Sequence, residues 1–325
     1  MRYAVMADIH GNMPAFRAVL ADAAACGAQE YIFLGDYCNH LSGSREVVEV
    51  LCHMPNTYII KGNEDDHILQ LRTQDQSTWT DGQFCTTYWT FRRFEPEQLD
   101  FLASLPEEIQ IPLAGGLVAD CFHAPGYRFP DTALAQMSPA EFTSVVEEAL
   151  AEQSMTIERY ATQIGARAQK DEAFCTILQQ QPAQIFLFAH SHMQFSLEIA
   201  DKLLLNPGSV GIPLDDKDRA AYTILDCSDG DYRIEHRRVP YDVAEIIAHM
   251  HTSGMYAAAP IWSEILEEQV CTNRTRSTFF LRHMVQFAAD RGDTTRPYTK
   301  ETFAAGYADW RANGPYPAKA WRKNP

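Results

Sequence analysis

Seven residues of the kinds that bind metal ions stand at the ends of short apolar segments of the sequence. The segments are AVMADIH, YIFLGD, TYIIKGN, LVADCFH and IFLFAHSH, and the residues are Asp8, His10, Asp36, Asn63, His123, His190 and His192. Four imidazoles, two carboxylates and one amide suit divalent Mn, Fe, Co, Ni or Zn, whereas Mg and Ca prefer oxygen ligands alone. The set therefore predicts a transition-metal site, with Mn as the first choice.

Each of these residues follows a segment that is typical of a β-strand. In open α/β sheets the loops at the carboxyl ends of strands converge and bind ligands, so distant residues can meet in one pocket. Taken singly, each residue has a plainer explanation in turn or cap chemistry, and only the coincidence of five strand ends favours the site. Seven ligands exceed one open site, so we expect two ions that share Asp36. Two divalent ions and two aspartates leave a local charge of about +2, which attracts a phosphate oxyanion.

The elements that must position these residues alternate in the first part of the sequence. Strands are predicted over residues 3–7, 31–34 and 57–60, and helices over residues 14–26, 44–54 and 65–72. Proline at position 14 suits the first turn of a helix, and glycine at position 27 suits the residue after its end. Strands that alternate with helices predict an α/β fold.

Further strands are predicted over residues 117–122, 185–189, 195–199, 202–205, 221–225 and 232–239. The last four are close together with turn residues between them, so we expect antiparallel neighbours on a second sheet. The pattern of residues 139–181 predicts a helical insertion, and this insertion is a candidate cap over the site. We expect a catalytic domain over residues 1–240 and a mostly helical extension over residues 241–325.

Composition narrows the class of protein. The chain has 325 residues and a formal net charge of −16, which disfavours nucleic acid as a partner because nonspecific binding depends on Lys and Arg. Its eight cysteines form no CxxC pair and suit reduced thiols of the cytoplasm. No segment resembles a signal peptide or a membrane span. The sequence leaves open whether the protein forms a homo-oligomer.

The motifs DIH at 8–10, GD at 35–36, GN at 62–63, His123 and AHSH at 189–192 resemble the five ordered signatures of the calcineurin-like metallophosphoesterases. The resemblance covers roughly residues 1–240. It implies an α/β (α+β) fold in which a two-sheet β-sandwich is flanked by helices. It also implies one metal held by Asp8, His10, Asp36 and His192 and another held by Asp36, Asn63, His123 and His190. Members of the family use a metal-bridging hydroxide to attack phosphorus in line.

The sequence departs from the family pattern after Asn63. Many members have a histidine there that assists the leaving group, whereas this chain has Glu64 followed by Asp65. His67, one helical turn further on, is a possible substitute, although a surface position on the helix is the simpler interpretation. In having no histidine directly after Asn63, the chain resembles the small bacterial phosphodiesterase branch of the family, in which another residue occupies that position. We take Asn63, Glu64, Asp65 and His123 as candidate catalytic residues.

Candidate substrate-binding residues are Asn12, Asn39 and Arg128, which lie on the same loops as metal ligands, although turn or surface positions explain them equally well. The aromatic residues between positions 79 and 94 suit either a stacked nucleobase or, more simply, the core.

The sequence therefore predicts a dinuclear-metal phosphohydrolase that acts on a small-molecule phosphodiester. The alternatives are a phosphomonoesterase or nucleotide phosphatase, a nuclease, and a non-catalytic metal-binding scaffold. Loss of ligands would mark the scaffold, and this chain keeps the full set.

Overall fold

The structure is a computed structural model that describes residues 1–130, 157–214 and 219–314. Ten strands form two five-stranded sheets. The first sheet contains β1 (Arg2–Met6), β2 (Glu30–Phe33), β3 (Thr57–Ile59), β9 (Ala220–Ser228) and β10 (Asp231–Val239), in the order β10-β9-β1-β2-β3. The second contains β4 (Glu108–Pro112), β5 (Val118–Phe122), β6 (Ile185–Leu187), β7 (Gln194–Ile199) and β8 (Lys202–Pro207), in the order β4-β5-β6-β8-β7.

Both sheets mix parallel and antiparallel pairs. In the first sheet β1, β2 and β3 run parallel, and in the second sheet β5, β6 and β8 do. The edges β9-β10, β4 and β7 are antiparallel. The carboxyl ends of the parallel strands therefore lie at one edge of each sheet. The predicted ligands come directly after these strand ends and so lie at the same edge.

Strand β1 shows why the two sheets pack face to face. Tyr3, Val5 and Ala7 contact the core between the sheets, whereas Ala4 and Met6 face the helices on the outer side. Because side chains alternate along a strand, apolar residues at consecutive positions are buried on both faces. The predicted two-sheet sandwich flanked by helices is confirmed.

Thirteen α-helices lie within the described ranges. They are α1 (Met13–Ala25), α2 (Ser44–His53), α3 (Asn63–Gln70), α4 (Cys85–Phe91), α5 (Pro96–Ser104), α6 (Pro125–Arg128), α7 (Ile157–Lys170), α8 (Glu172–Gln180), α9 (Val243–Thr252), α10 (Met255–Ala258), α11 (Pro260–Thr272), α12 (Ser277–Ala289) and α13 (Lys300–Asn313). Helices α1, α2 and α5 cover the outer face of the first sheet, and α7 and α8 cover that of the second.

The five helices of the C-terminal region form a cluster of their own. Its core contains Trp262, Phe280, Phe303 and Trp310 and reaches the rest of the fold through Leu41. The described part of the chain has no helix with the length and apolar character that a membrane crossing requires. All eight cysteines are free thiols.

The structure corrects the predicted placement of the last two strands. β7 and β8 pair in the second sheet as expected, but β9 and β10 extend the first sheet, where β9 pairs with β1. Almost every residue of β9 is buried, which suits a strand with neighbours on both sides. The sequence analysis also missed β4, which forms the edge of the second sheet.

The predicted insertion is helical where the structure describes it. Helices α7 and α8 pack against the outer face of the second sheet, and none of their residues lines the cavity at the metal site. Residues 139–156 of the predicted cap lie outside the described residues. Among the aromatic residues at 79–94, Trp79 stacks on Tyr88 with ring centroids 4.6 Å apart, and both are buried, as core packing predicts.

Leu187 tests the core between the sheets. It is fully buried on β6, so Leu187→Ala removes its contacts and leaves a cavity. We expect the free energy of unfolding, measured by urea titration, to fall by about 2–5 kcal/mol. Val285→Ala, at a residue that is 58% exposed, should change it by less than about 0.5 kcal/mol. Equal effects of the two substitutions would contradict this packing.

Candidate metal centre

The backbone turns sharply where the predicted ligands leave their strands. Five of them have a left-handed conformation: Asp8 (φ 52°), His10 (φ 48°), Asp36 (φ 58°), His190 (φ 69°) and His192 (φ 61°). This conformation is uncommon outside glycine and costs about 1–3 kcal/mol at each residue, so it persists only where the surroundings impose it. The strain is concentrated at the ends of β1, β2 and β6.

Backbone hydrogen bonds join these turns. The N–H groups of Asp8 and His10 donate to the carbonyls of Gly35 and Asp36 at 3.1 and 3.0 Å. In the second sheet, the N–H of Ala189 donates to the carbonyl of His123 at 2.8 Å. The loops therefore continue the sheets beyond the strands and hold the side chains in register.

Two glycines allow the loops after β2 and β3 to touch. Gly35 has φ 96°, and a Cβ there would lie 2.5 Å from the nitrogen of Gly62 and 2.7 Å from Nδ1 of His123. A Cβ on Gly62 would overlap the carboxylate of Asp36. Only glycine permits this approach, which brings Asn63 beside Asp36.

The first group of ligands comes from both sheets. Asp8, His10 and His192 offer three ligand atoms that lie within 4.8 Å of one another. Nδ1 of His192 lies 2.7 Å from the carbonyl oxygen of Ile212. Because a carbonyl only accepts, Nδ1 carries the proton and Nε2 keeps its lone pair. That Nε2 lies 3.2 Å from Nε2 of His10, so the two rings converge on a common point.

The second group consists of Asp36, His123 and His190, again with ligand atoms within 4.8 Å. Nδ1 of His123 donates to the carbonyl oxygen of Leu34 at 2.6 Å, which leaves Nε2 to face the site. Oδ2 of Asp36 lies 3.2 Å from Nε2 of His123 and 3.7 Å from Nε2 of His10. One carboxylate oxygen therefore reaches both groups.

Asn63 begins α3 beside the second group. Its Nδ2 donates to Glu64 at 3.3 Å, whereas its buried Oδ1 has no hydrogen-bond partner among the described residues. Both carboxylate oxygens of Asp8 are buried and likewise lack a hydrogen bond of ordinary geometry within the described ranges. Buried oxygens without a donor are costly unless a cation binds them. The donor set therefore fits divalent metal ions.

The surroundings set the charge of each ligand. Burial lowers the pKa of His10 well below its usual range and that of His192 to about 4, so both rings are neutral at neutral pH. Burial alone would raise the pKa of Asp36, but the neighbouring His123 holds it well below its usual range. For His123, the Asp36 charge outweighs burial and raises the pKa to about 10. Burial raises the pKa of Asp8.

Glu64 lies on the wall of the cavity above the ligands. Its carboxylate accepts a hydrogen bond from Nδ2 of Asn39 at 2.5 Å and lies 3.4 Å from Nδ1 of His67. Burial alone would raise the pKa of Glu64, but the imidazoles of His40 and His67 lower it to about 2. Glu64 is therefore an anion at neutral pH. The His67 side chain is 44% exposed, and its hydrogen bond to Glu64 raises its pKa.

Asp65, which was predicted to be a catalytic residue, does not line the cavity. It is fully buried, and its carboxylate accepts hydrogen bonds from the backbone N–H groups of Asp36 and Gly62 at 2.9 Å and of Tyr37 at 3.0 Å. It therefore fastens the loop after β2 to the loop after β3.

Two predicted substrate-binding residues are also occupied elsewhere. Asn12 caps α1, where its Oδ1 accepts from the backbone of Ala15, and its Nδ2 donates to the carbonyl of Gly211. Arg128 binds Asp120 on β5 and does not line the cavity. Asn39 lies near the site through its bond to Glu64.

The cavity above the ligands has a volume of about 180 Å³. Besides five of the seven predicted ligands and Glu64, its walls include residues that the sequence analysis did not identify: His40, Ile212, Leu214, Gln269, Ser277 and Thr278. The ring of His40 meets that of His10 edge to face, with centroids 4.7 Å apart. His40 follows the GD motif closely, which is a signal that the sequence offered. Gln269, Ser277 and Thr278 come from the C-terminal helices, for which it offered none.

Two mixed sheets with a histidine and carboxylate site at their common edge define a metallophosphoesterase fold. The structure is similar to the crystal structure of a metallophosphoesterase from Sphaerobacter thermophilus, with 20% identity, a TM-score of 0.57, and 84% of this chain and 99% of that chain covered. It is also similar to a hypothetical protein from Pyrococcus horikoshii OT3, with 18% identity, a TM-score of 0.58, and 82% and 97% of the chains covered.

The sequence comparisons agree. An uncharacterized protein of Methanocaldococcus jannaschii is 26% identical over 261 residues, which are 74% of this chain and 88% of that protein. Residues 1–230 match the family model described as the calcineurin-like phosphoesterase superfamily domain. The chain belongs to this superfamily, and it is a metal-dependent phosphoester hydrolase.

Asp65 provides a test of how the centre is held. Asp65→Asn places an amide against backbone donors, so the loop that carries Asp36 should shift. We expect the affinity for Mn²⁺, measured by calorimetry, to fall about 10- to 100-fold although Asp65 is no ligand. Near-ultraviolet circular dichroism checks that the variant is folded.

The matched control is Asp66→Asn, one residue along α3, where the carboxylate forms an ion pair with Lys61 at 2.8 Å. Because this pair is near the surface, we expect the Mn²⁺ affinity to change less than about twofold. An unchanged affinity in folded Asp65→Asn would contradict the positioning role.

Proposed function

We propose that this protein is a dinuclear-metal phosphodiesterase that acts on a small molecule. The observation that carries the proposal is the position of Oδ2 of Asp36, which lies within 3.2 Å of His123 and 3.7 Å of His10 and so suits a ligand shared by two ions. In this arrangement one ion takes Asp8, His10, Asp36 and His192, and the other takes Asp36, Asn63, His123 and His190. Manganese is the first choice, with Fe, Zn, Co and Ni as alternatives.

The bound ions would polarise the phosphoryl oxygens and activate a water molecule for attack on phosphorus. The chain's own groups keep the ligands in place. The carbonyls of Leu34 and Ile212 orient the rings of His123 and His192, and Glu64 orients the amide of Asn63. These contacts hold each donor atom toward the site before any substrate arrives.

Glu64 is the feature of the cavity walls that favours a diester over a monoester. Among the described residues, no Lys or Arg lines the cavity, while the ionised Glu64 does. A phosphomonoester carries close to two negative charges at neutral pH and a diester carries one, so the repulsion from Glu64 is larger for the monoester. The positive charge that attracts the phosphate would come from the metals, because no lysine or arginine of the described residues lines these walls.

The walls also favour a small substrate. Gln269, Ser277 and Thr278 from the C-terminal region stand over a cavity of about 180 Å³, which leaves little room for a polymer. The net charge of −16 adds to this by repelling nucleic acid. Eight free thiols suit a reducing compartment, and we propose the cytoplasm.

The experiment compares bis(p-nitrophenyl) phosphate with p-nitrophenyl phosphate on the manganese-loaded protein. We expect kcat/KM to be at least about tenfold higher for the diester, since one unit of charge beside Glu64 is worth about 1–4 kcal/mol. Glu64→Gln removes that charge and should reduce the ratio of kcat/KM for the diester to kcat/KM for the monoester. The value for the diester itself should stay close to that of the wild type.

The other outcomes are informative. A preference for the monoester would favour the alternative of a phosphomonoesterase or nucleotide phosphatase. If neither substrate is hydrolysed and fewer than about one ion binds to each chain, the result would contradict the proposed phosphodiesterase and favour the alternative of a metal-binding scaffold.

A further inference from the structure

A second cavity lies beside the metal centre. It has a volume of about 330 Å³, within the range of small-molecule pockets, and it shares His40 and Glu64 with the cavity above the ligands. A group attached to a phosphorus at the metals would therefore pass these two residues on entering the second cavity. We call it the side cavity.

The side cavity has an apolar wall. Phe84 and Trp262 contribute aromatic rings, and Leu266 and Leu281 contribute aliphatic side chains. Trp262 is fixed in place, since its Nε1 donates to the carbonyl of Gln83 at 2.6 Å and its ring packs against Phe280. Rigid aromatic and aliphatic surfaces favour a flat apolar group, which loses contact with water when it enters.

The remaining wall is polar. Gln83, Thr86 and Thr87 line it with Asn39 and His67, and no Lys or Arg does so among the residues that the structure describes. A second phosphate on the substrate would find neither a lysine nor an arginine there. Asn39 is only 4% exposed, and its Oδ1 has no hydrogen-bond partner in the described ranges, so it offers an acceptor to an N–H or O–H of the ligand.

We propose that the side cavity binds the alcohol portion of the phosphoester, and that this portion is an uncharged aromatic ring system that bears a hydrogen-bond donor. The inference rests on the proposed function for the position of the phosphorus. It goes further by naming the substrate class. Aryl and nucleoside esters without further phosphates fit this description, whereas nucleoside diphosphates and triphosphates do not.

The C-terminal helices supply the selective part of this cavity. Trp262 and Leu266 lie on α11, and Leu281 lies on α12. These residues fall outside the matched family region, which ends at residue 230. The metal ligands therefore belong to the shared part of the chain, and the ring-binding wall belongs to the extension.

The experiment uses two phosphonates that are not esters and cannot be hydrolysed. Phenylphosphonate and methylphosphonate carry the same charged group, so their difference in affinity for the manganese-loaded protein reports the ring alone. By calorimetry we expect phenylphosphonate to bind at least about tenfold more tightly, as burial of a ring predicts. Equal affinities would overturn the proposal, as would the absence of binding by both.

Leu281→Trp fills the side cavity and should reduce the ratio of the two affinities to less than about twofold, while methylphosphonate binds as before. The matched control is Val285→Trp, one turn further along α12, where the residue is 58% exposed and the ratio should stay at the wild-type value. If Leu281→Trp binds no methylphosphonate, the smaller substitution Leu281→Phe replaces it. An unchanged ratio in the variant that retains methylphosphonate binding would overturn the proposal.

These outcomes separate the two proposals. A preference for the phenyl ring without hydrolysis of any ester would contradict the proposed function and leave the side cavity standing. Hydrolysis of the diester without a preference for the ring would contradict the side cavity alone.

Discussion

Two carboxylates and several imidazoles are buried together at the edge where the two sheets meet, and this concentration of ligands constrains the rest of the site. Asp8 is fully buried and Asp36 is only 2% exposed, so their charges must be compensated by what lies between them. Buried charges are costly unless they are paired or coordinate a metal. Oδ2 of Asp36 faces His10 on one side and His123 on the other. Ions at these positions would satisfy oxygens that otherwise lack donors.

The surrounding structure serves to hold that arrangement. The left-handed turns after β1, β2 and β6 aim the ligands, and Gly35 and Gly62 let two loops touch. Asp65 then ties those loops together through backbone N–H groups. The left-handed turns, the close contact of the two glycines and the buried carboxylate are each unfavourable or unusual by themselves. The geometry of the ligands explains all three. Local strain at a site is common where the surrounding fold is rigid enough to maintain it.

The sequence predicted which side chains meet at the sheet edge, because their positions follow from local patterns. Each stands directly after an apolar segment, and the order of parallel strands brings those ends to one edge. The sequence did not predict that β9 and β10 join the first sheet, because a hairpin pattern carries no information about which edge it extends. It also did not predict that Asp65 binds backbone N–H groups, since an acidic residue after Asn63 looks the same in the sequence whether it faces substrate or backbone donors.

The sequence could not predict the walls of the two cavities, for a different reason. Gln269, Ser277 and Trp262 lie 70 to 85 residues beyond His192, the last predicted ligand, and their position depends on how the C-terminal helices pack. Nothing in their local pattern distinguishes them from ordinary helix residues. The result is a division of the chain in which the strand ends carry the candidate metal ligands and the C-terminal helices line the two cavities beside them.

Anomalous diffraction from crystals of the manganese-loaded protein tests the central claim most directly. The account predicts two peaks at the manganese edge, about 3.5–4 Å apart, with the Asp36 carboxylate between them. One peak should lie beside Asp8 and His192, and the other beside His123 and His190. A single peak, or peaks away from these side chains, would contradict a shared carboxylate and with it the dinuclear centre.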